Sequence, residues 1–131
     1  MIGLDTNVLV RLLTRDDEKQ AGKARDLLER HANEDGQLFV SDIVLAELVW
    51  ILDRAYGLDK AAIATAIKAL ADNATLGFES REVLRDAQAL YADSKAGFAD
   101  CLIHAKARAA GCETLASFDK ALRGPPGVVP P

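Results

Sequence analysis

Short apolar runs alternate along this chain with longer segments in which apolar residues recur every three or four positions. The runs at residues 1–4, 38–40, 76–78 and 114–116 have the length of buried strands, and the longer segments have the period of amphipathic helices. Parallel strands need crossover connections, which are usually helices. The pattern therefore predicts an α/β fold in which helices cover both faces of a short parallel sheet.

Polar residues that can cap a helix stand at the start of most of the helical segments. Ser41 and Ser80 precede two of them, and the acidic run at residues 16–18 opens another. Gly57 is predicted to end the helix that begins after Ser41, because glycine commonly follows the last helical turn. The tail at residues 124–131 is rich in proline and glycine and predicts a loop with at most one very short final strand.

The chain has 131 residues, which predicts a single domain over residues 1–131 with a core of its own. A net charge of -4 argues against broad, nonspecific coating of nucleic acid. Cys101 and Cys112 do not form a disulfide framework, and no secretory signal or run of membrane-spanning length is visible. These features predict a cytoplasmic protein with no membrane partner.

Four acidic residues lie inside or directly beside apolar segments: Asp5, Glu47, Asp100 and Asp119. The carboxyl ends of parallel strands share one edge of a sheet, and ligands bind there. Two of the acids follow predicted strands, and the other two lie in helices that begin at the same edge. Convergent carboxylates repel one another unless protons or a cation neutralise them, and a hard divalent cation is the usual reason for such a cluster. We therefore expect a metal site at this edge.

Each acid also has a local interpretation. Asp5 can cap the first helix, Asp119 can cap the short turn that follows it, and Asp100 can favour the positive end of its helix. Glu47 has only apolar residues three and four positions away, so burial without a partner would cost several kcal/mol. It could instead lie at the edge of that apolar stripe and reach water.

Smaller polar groups accompany the acids. Asn7 and Ser117 fit as groups that orient the carboxylates or as local turn formers, and Thr6 fits the same orienting role or a cap. Basic residues near the acidic edge could contact a phosphate backbone, although solvated surface is the alternative for each. These residues are Arg11, Arg15, Lys95, Lys120 and Arg123.

Other chemistries fit the sequence less well. Cys101, His104 and Cys112 match no zinc-finger spacing and lack a fourth ligand. A Cys-His nucleophilic pair stays open, but an apolar helix would raise the pKa of the Cys101 thiol. No phosphate-binding glycine loop or nucleophile elbow is present. A phosphoacceptor receiver domain would need an acidic pair after the first strand and a lysine after the last, whereas Asp16 and Asp17 open a helix.

Four sequence blocks together resemble the PIN domain, and in particular the VapC-type ribonuclease toxins of bacterial toxin–antitoxin pairs. The resemblance covers nearly the whole chain, with the blocks in the right order and spacing. The blocks are Ile2-Gly3-Leu4-Asp5-Thr6-Asn7-Val8-Leu9, the helix start from Ser41 to Glu47, Phe98-Ala99-Asp100-Cys101-Leu102-Ile103, and Leu115-Ala116-Ser117-Phe118-Asp119-Lys120.

The resemblance implies an α/β/α sandwich and RNA cleavage that depends on Mg²⁺ or Mn²⁺. By position, Asp5, Glu47, Asp100 and Asp119 match the family's catalytic, metal-binding acids, with Glu47 acting directly or through water. Asn7 and Ser117 match its polar accompaniment. The resemblance also implies an RNA substrate, a cognate antitoxin and a homodimer.

A binding module without turnover is the alternative function. Two apolar helices could supply a surface for a second copy or an antitoxin, or they could equally form the core. Their apolar residues are Leu45, Leu48, Val49, Leu52, Ile63, Ile67 and Leu70.

Overall fold

The computed structural model describes residues 1–123 and 127–131, and it has mixed α/β structure as predicted. The predicted loop at residues 124–126 lies outside the described residues. The chain divides into two compact units, Met1–Glu79 and Ser80–Pro131. A single domain over residues 1–131 stays a prediction.

The first unit contains a parallel sheet of three strands in the order β1-β2-β3, with Ile2 opposite Leu38 and Leu38 opposite Leu76. Helices connect consecutive strands, which is the arrangement that parallel pairing requires. The elements are β1 (Ile2–Gly3), α1 (Thr6–Leu13), α2 (Glu18–Arg30), β2 (Leu38–Val40), α3 (Asp42–Arg54), α4 (Lys60–Ala71) and β3 (Leu76–Phe78).

The described residues of the second unit form two helices, a short 3₁₀ turn at Lys120–Arg123 and two short strands. The fourth strand was expected to extend the same sheet as the first three. Among the described residues it instead pairs in parallel with the final strand, with Leu115 opposite Val128. A strand two residues long makes few contacts with its neighbour, so the apolar pattern did not predict which strand β4 would pair with. The elements are α5 (Arg81–Asp93), α6 (Phe98–Ala109), β4 (Leu115–Ala116) and β5 (Val128–Val129).

Side-chain caps begin four successive helices, and three of them, at Ser41, Ser80 and the acidic run at residues 16–18, were predicted from the sequence. The carboxylates of Asp17 and Asp59 accept hydrogen bonds from backbone N–H groups at 3.0 Å and 2.8 Å, at the starts of α2 and α4. The hydroxyls of Ser41 and Ser80 do the same for α3 and α5 at 3.3 Å and 3.1 Å. Each cap satisfies an amide that has no partner within its helix, which contributes about 1 kcal/mol.

The inner faces of α3 and α4 form much of the core of the first unit. Leu45, Leu48, Leu52, Ile63 and Ile67 are all at most 1% exposed, and the predicted core role of these helices is confirmed. These residues are therefore unavailable as a partner surface.

The opposite face of α3 is apolar but open to solvent. Ile43 is 79% exposed and Trp50 is 63% exposed. Because they stand seven positions apart, they lie on the same side of the helix, with Glu47 between them. Large apolar side chains that face water in this way are typical of interaction surfaces.

No helix in the described part of the chain combines the length and the apolar character that crossing a bilayer requires.

A close backbone approach fixes the turn before β2 against β3. Gly36 has a φ of +66°, which favours glycine, and its N–H donates a hydrogen bond of 2.8 Å to the carbonyl of Ala74. A Cβ atom on Gly77 would lie 2.7 Å from the Gly36 carbonyl oxygen. The turn and β3 cannot move apart without losing the hydrogen bonds that hold them together, so position 77 requires glycine.

We expect Gly77→Ala to lower the free energy of unfolding by about 1–3 kcal/mol, the usual cost of overpacking. Gly22→Ala is the matched control. Gly22 lies inside α2, where a Cβ would meet only the flexible Arg25 side chain at 3.9 Å. This substitution should raise stability by about 0.5–1 kcal/mol. Urea unfolding of both variants checks the pair, and equal changes in the two would contradict the steric explanation.

Candidate active site

Asp5 follows β1 and caps α1. Its Oδ1 atom accepts a hydrogen bond of 2.8 Å from the Thr6 N–H, and its backbone is extended at φ -78° and ψ 158°. Thr6 is the first helical residue and is only 3% exposed, so Asp5 rather than Thr6 is the cap. The cap holds the exposed Asp5 carboxylate in one orientation at the carboxyl end of the strand.

Glu47 lies on the exposed face of α3 described above. The side chain reaches water, as in the alternative interpretation, but it lies between two exposed apolar residues rather than at the edge of a buried stripe. Its neighbours Ile43 and Trp50 are exposed as well, so the charge has no burial cost to offset. The periodicity alone was misleading here because it cannot distinguish an apolar face in the core from one in solvent.

Asp100 and Asp119 are brought together within the second unit. Partial burial raises the pKa of the Asp100 carboxyl, and the nearby charge of Asp119 and a hydrogen bond between the two side chains raise it further. Carboxylates this close repel one another when both are ionised, and a bound cation would relieve that repulsion. Their oxygens are the donors that hard divalent cations prefer, so the pair fits Mg²⁺ or Mn²⁺.

The orientation of Asp119 is fixed by local hydrogen bonds. Its N–H donates to the Ser117 hydroxyl at 3.0 Å, and its Oδ1 accepts from the Ala121 N–H at 2.9 Å. The predicted cap of the following turn is confirmed. Ser117 therefore forms the local turn that was its alternative interpretation, and its role in orienting the carboxylate stays a prediction.

The start of α6 places Asp100 beside this loop. Gly97 caps the helix without a side chain, and a Cβ at that position would lie 3.7 Å from Asp100 Oδ2. The carboxylate therefore turns back towards the first turn of its own helix, where the helix dipole favours negative charge. Cys101 and His104 are buried on α6, in agreement with structural roles.

Asp5 and Glu47 belong to the first unit, and Asp100 and Asp119 belong to the second. Of the predicted acids, the contacts join Asp100 with Asp119. Within residues 1–123 and 127–131, no group of three or more His, Cys, Asp or Glu side chains is arranged to hold a metal ion. The convergence of all four acids stays a prediction.

Arg11 takes part in a hydrogen-bonded network rather than standing alone as a cation. Its guanidinium donates to Gln20 Oε1 at 2.7 Å and to Asp16 Oδ1 at 3.1 Å. The Tyr56 hydroxyl donates to the other oxygen of Asp16 at 2.6 Å, and the Thr14 hydroxyl reaches the same carboxylate at 3.1 Å. The network ties the loop after α1 to the end of α3.

This network predicts a pH-dependent contribution to stability. The hydrogen bond from Tyr56 lowers the pKa of Asp16 below its ordinary value, and the Thr14 hydrogen bond and the Arg11 charge act in the same direction. The contribution is therefore present above the ordinary aspartate pKa of about 3.9 and is lost as the pH falls through the folded-state value.

Accordingly, Asp16→Asn should lower the free energy of unfolding at neutral pH, and the difference from the wild type should shrink in acid. Urea unfolding at neutral pH and below about pH 3 measures this difference, because the unfolded carboxyl is protonated there. Tyr56→Phe removes the hydrogen bond that lowers the pKa of Asp16 most, so it should reproduce part of this loss of stability. A difference that does not change with pH would contradict the assignment.

The other predicted basic contacts lie on the surface. Arg15, Lys95 and Lys120 are exposed, which fits both contact with phosphate and ordinary solvation. Arg123 ends the 3₁₀ turn, and its side chain lies outside the described residues. The phosphate-contact roles of all five basic residues stay predictions.

Two cations that the sequence reasoning did not single out line a pocket between α1 and α2. Lys23 and Arg30 lie there together with Asn7 and Arg11. Lys23, Leu27 and Arg30 are spaced four and three positions apart, so helical spacing could have placed them on one face of α2. Only the packing of α1 against that face turns it into a pocket.

Comparison with known protein sequences gives a family and a curated relative. The sequence model of the PIN domain family matches residues 2–127. The VapC ribonuclease of Aquifex aeolicus (strain VF5) is 28% identical over 117 residues, which are 89% of this chain and 86% of the relative. The family match extends across both compact units.

Two solved structures are similar over most of their length. The crystal structure of Mycobacterium tuberculosis VapC20, a Sarcin-Ricin loop cleaving toxin, has a TM-score of 0.43 and 22% identity, covering 94% of this chain and 93% of that one. A toxin-antitoxin complex from Klebsiella pneumoniae has a TM-score of 0.39 and 23% identity, covering 98% and 96%.

Proposed function

Because this chain belongs to the PIN domain family, we propose that it is a metal-dependent endoribonuclease and the toxin of a toxin–antitoxin pair. The observation that carries the proposal is the contact between the Asp100 and Asp119 carboxyl groups. Such a pair is unfavourable when both members are ionised, and it becomes favourable when a cation lies between charges of the same sign. The relative named VapC ribonuclease supports the same reaction class.

Asp100 and Asp119 would hold Mg²⁺ or Mn²⁺, and Asp5 and Glu47 are the further acids that the family resemblance adds. When bound, the cation would stabilise charge on the scissile phosphate and lower the pKa of a water molecule. The chain itself supplies orientation. Asp119 is held by Ser117 and the following turn, and Asp5 by the first amide of α1. Preoriented carboxylates avoid reorganisation when the phosphate binds.

The substrate in this proposal is RNA, which the basic residues near the acids would attract through its phosphates. A cognate antitoxin and a second copy of the chain are the proposed protein partners. The exposed apolar face of α3 supports partner binding, because Ile43 and Trp50 would be removed from water in a complex. The same face would serve a non-catalytic binding module, which is the alternative. Residence in the cytoplasm stays a prediction.

A cleavage assay with purified protein separates the two functions. Single-stranded RNA is incubated with the chain in Mg²⁺, in Mn²⁺ and in excess chelator. Cleavage in either metal and its absence in chelator are the expected results. Cleavage that continues undiminished in chelator would remove the metal from the mechanism, and intact RNA in both metals would favour the binding module.

A further inference from the structure

The pocket between α1 and α2 combines positive charge with an apolar floor. It has a volume of about 320 Å³ and lies wholly within the first unit. This is the lower end of the range for small-ligand sites, about 300–1,000 Å³. Asn7 and Arg11 line it from α1, and Lys23 and Arg30 line it from α2.

The positively charged side chains of the pocket differ in whether an acidic side chain forms an ion pair with them. Arg11 is paired with Asp16 at 3.1 Å. Lys23 and Arg30 are exposed, and neither has an ion pair within 4.0 Å among the described residues. They stand about 10 Å apart along the helix, given the rise of 1.5 Å per residue. The pocket therefore offers two separated positive charges to an anion.

Acidic residues nearby do not neutralise these charges directly. Asp26 and Glu29 lie on the same helix and share a neighbouring surface depression with Lys23 and Arg30. They do not line the pocket itself. Their charges reduce the long-range attraction for anions, so recognition has to come from contact within the pocket rather than from the net field of a chain with charge -4.

The floor of the pocket is made of Val8, Ala24 and Leu27. A bare phosphate gains nothing from such a surface, whereas a nucleotide has a flat base that buries apolar area as well as a charged phosphate. Recognition of single-stranded RNA commonly uses bases that are turned out of the stack. The combination of floor and cations therefore favours a nucleotide over an inorganic anion.

The position of the pocket connects it to the proposed nuclease. Asn7 lines the pocket and is only two residues beyond Asp5 in the same cap and first helical turn. We propose that this pocket binds one nucleotide of the RNA strand, with its base against Val8 and Leu27 and its phosphate near Lys23 or Arg30. The proposal rests on the proposed ribonuclease function, and it adds a subsite that holds the strand beside Asp5.

Binding measurements on a variant with suppressed cleavage test the pocket. Asp119→Asn is a suitable background because it removes one of the proposed metal-binding acids and is not among the residues that line the pocket. The probe is a short fluorescent single-stranded RNA of mixed sequence in Mg²⁺, followed by anisotropy. The test variant adds Lys23→Ala and Arg30→Ala. The control adds Arg25→Ala and Lys68→Ala, which remove the same charge from exposed positions of the first unit.

The Lys23→Ala/Arg30→Ala variant should weaken binding by about tenfold or more. The slope of its affinity against salt concentration should fall by about 0.7 for each phosphate that the protein no longer neutralises. The control should stay within about twofold, because exposed charges away from the strand are screened. Leu27→Ala should weaken binding of RNA but not of a sugar–phosphate strand without bases. Thermal melting of each variant confirms that it is folded.

Several results would overturn the proposal. Equally weakened binding in the test and control variants would show a general charge effect. Equal effects of Leu27→Ala on strands with and without bases would show that the pocket does not bind a nucleotide base. Unchanged RNA affinity together with weaker binding of a polyglutamate peptide would assign the pocket to an acidic peptide.

Cleavage of the same RNA by the wild type is measured in parallel. Cleavage without any role of the pocket in binding would remove the subsite and keep the nuclease. Binding that depends on the pocket, in the absence of cleavage, would keep the subsite and remove the nuclease.

Discussion

Replacing Asp100 with asparagine is expected to reduce RNA cleavage by more than about 100-fold, because removing groups that merely orient a metal ligand already costs about 10–100-fold. Asparagine has nearly the same shape but removes the negative charge that a cation would neutralise. The Asp100 carboxyl is in contact with Asp119, so the remaining carboxylate would have to hold the cation without its partner. Asp119→Asn should have a similar effect.

Asp93→Asn is the matched control, since Asp93 is an exposed carboxylate at the end of α5 in the same unit. Two measurements are made on each protein: the rate of RNA cleavage, and the shift of the melting temperature on adding Mg²⁺. The wild type and Asp93→Asn should both cleave and both be stabilised by the metal, and Asp100→Asn should do neither. Cleavage at the wild-type rate by Asp100→Asn would eliminate the acidic pair as the metal-binding site.

On α3, two adjacent residues should have opposite consequences when they are replaced. Leu48 is fully buried, and Leu48→Ala should lower the free energy of unfolding by about 2–5 kcal/mol. Glu47 is exposed, and Glu47→Gln should change stability by no more than about 0.5 kcal/mol. If Glu47 acts in the reaction, its replacement should lower cleavage while leaving the unfolding curve unchanged.

Urea unfolding and RNA cleavage, measured on both variants, separate the two roles of the helix. Leu48→Ala should shift the unfolding midpoint strongly, and any decrease in cleavage should follow the folded fraction. A large shift of the midpoint in Glu47→Gln would show that this side chain has a structural role that its exposure does not indicate.

Local features were predictable from the sequence because they depend on neighbours along the chain. Ser41 and Ser80 cap the helices that they were expected to cap, and Asp5 and Asp119 accept the hydrogen bonds expected of caps. The three parallel strands of the first unit followed from short apolar runs separated by helices.

Features that depend on distant packing were harder to predict. Glu47 was surrounded by apolar residues in sequence, but its face of α3 is open to water. The pairing of β4 with β5 rests on a contact between segments too short to carry a pattern. The pocket that Lys23 and Arg30 line forms because α1 packs against α2, so the pattern of α2 alone did not predict it. The contact between Asp100 and Asp119 agrees with the expected convergence of acids, although in the described part of the chain β4 pairs with β5 rather than with the first three strands.

The two cysteines differ sharply in accessibility: Cys101 is fully buried in α6, whereas Cys112 is exposed beyond the end of that helix. A maleimide dye should therefore attach at one position in the native chain, without any engineered thiol. Because Cys112 lies on the same unit as Asp100 and Asp119, such a label would place a spectroscopic reporter on that half of the molecule and leave its acidic pair unmodified.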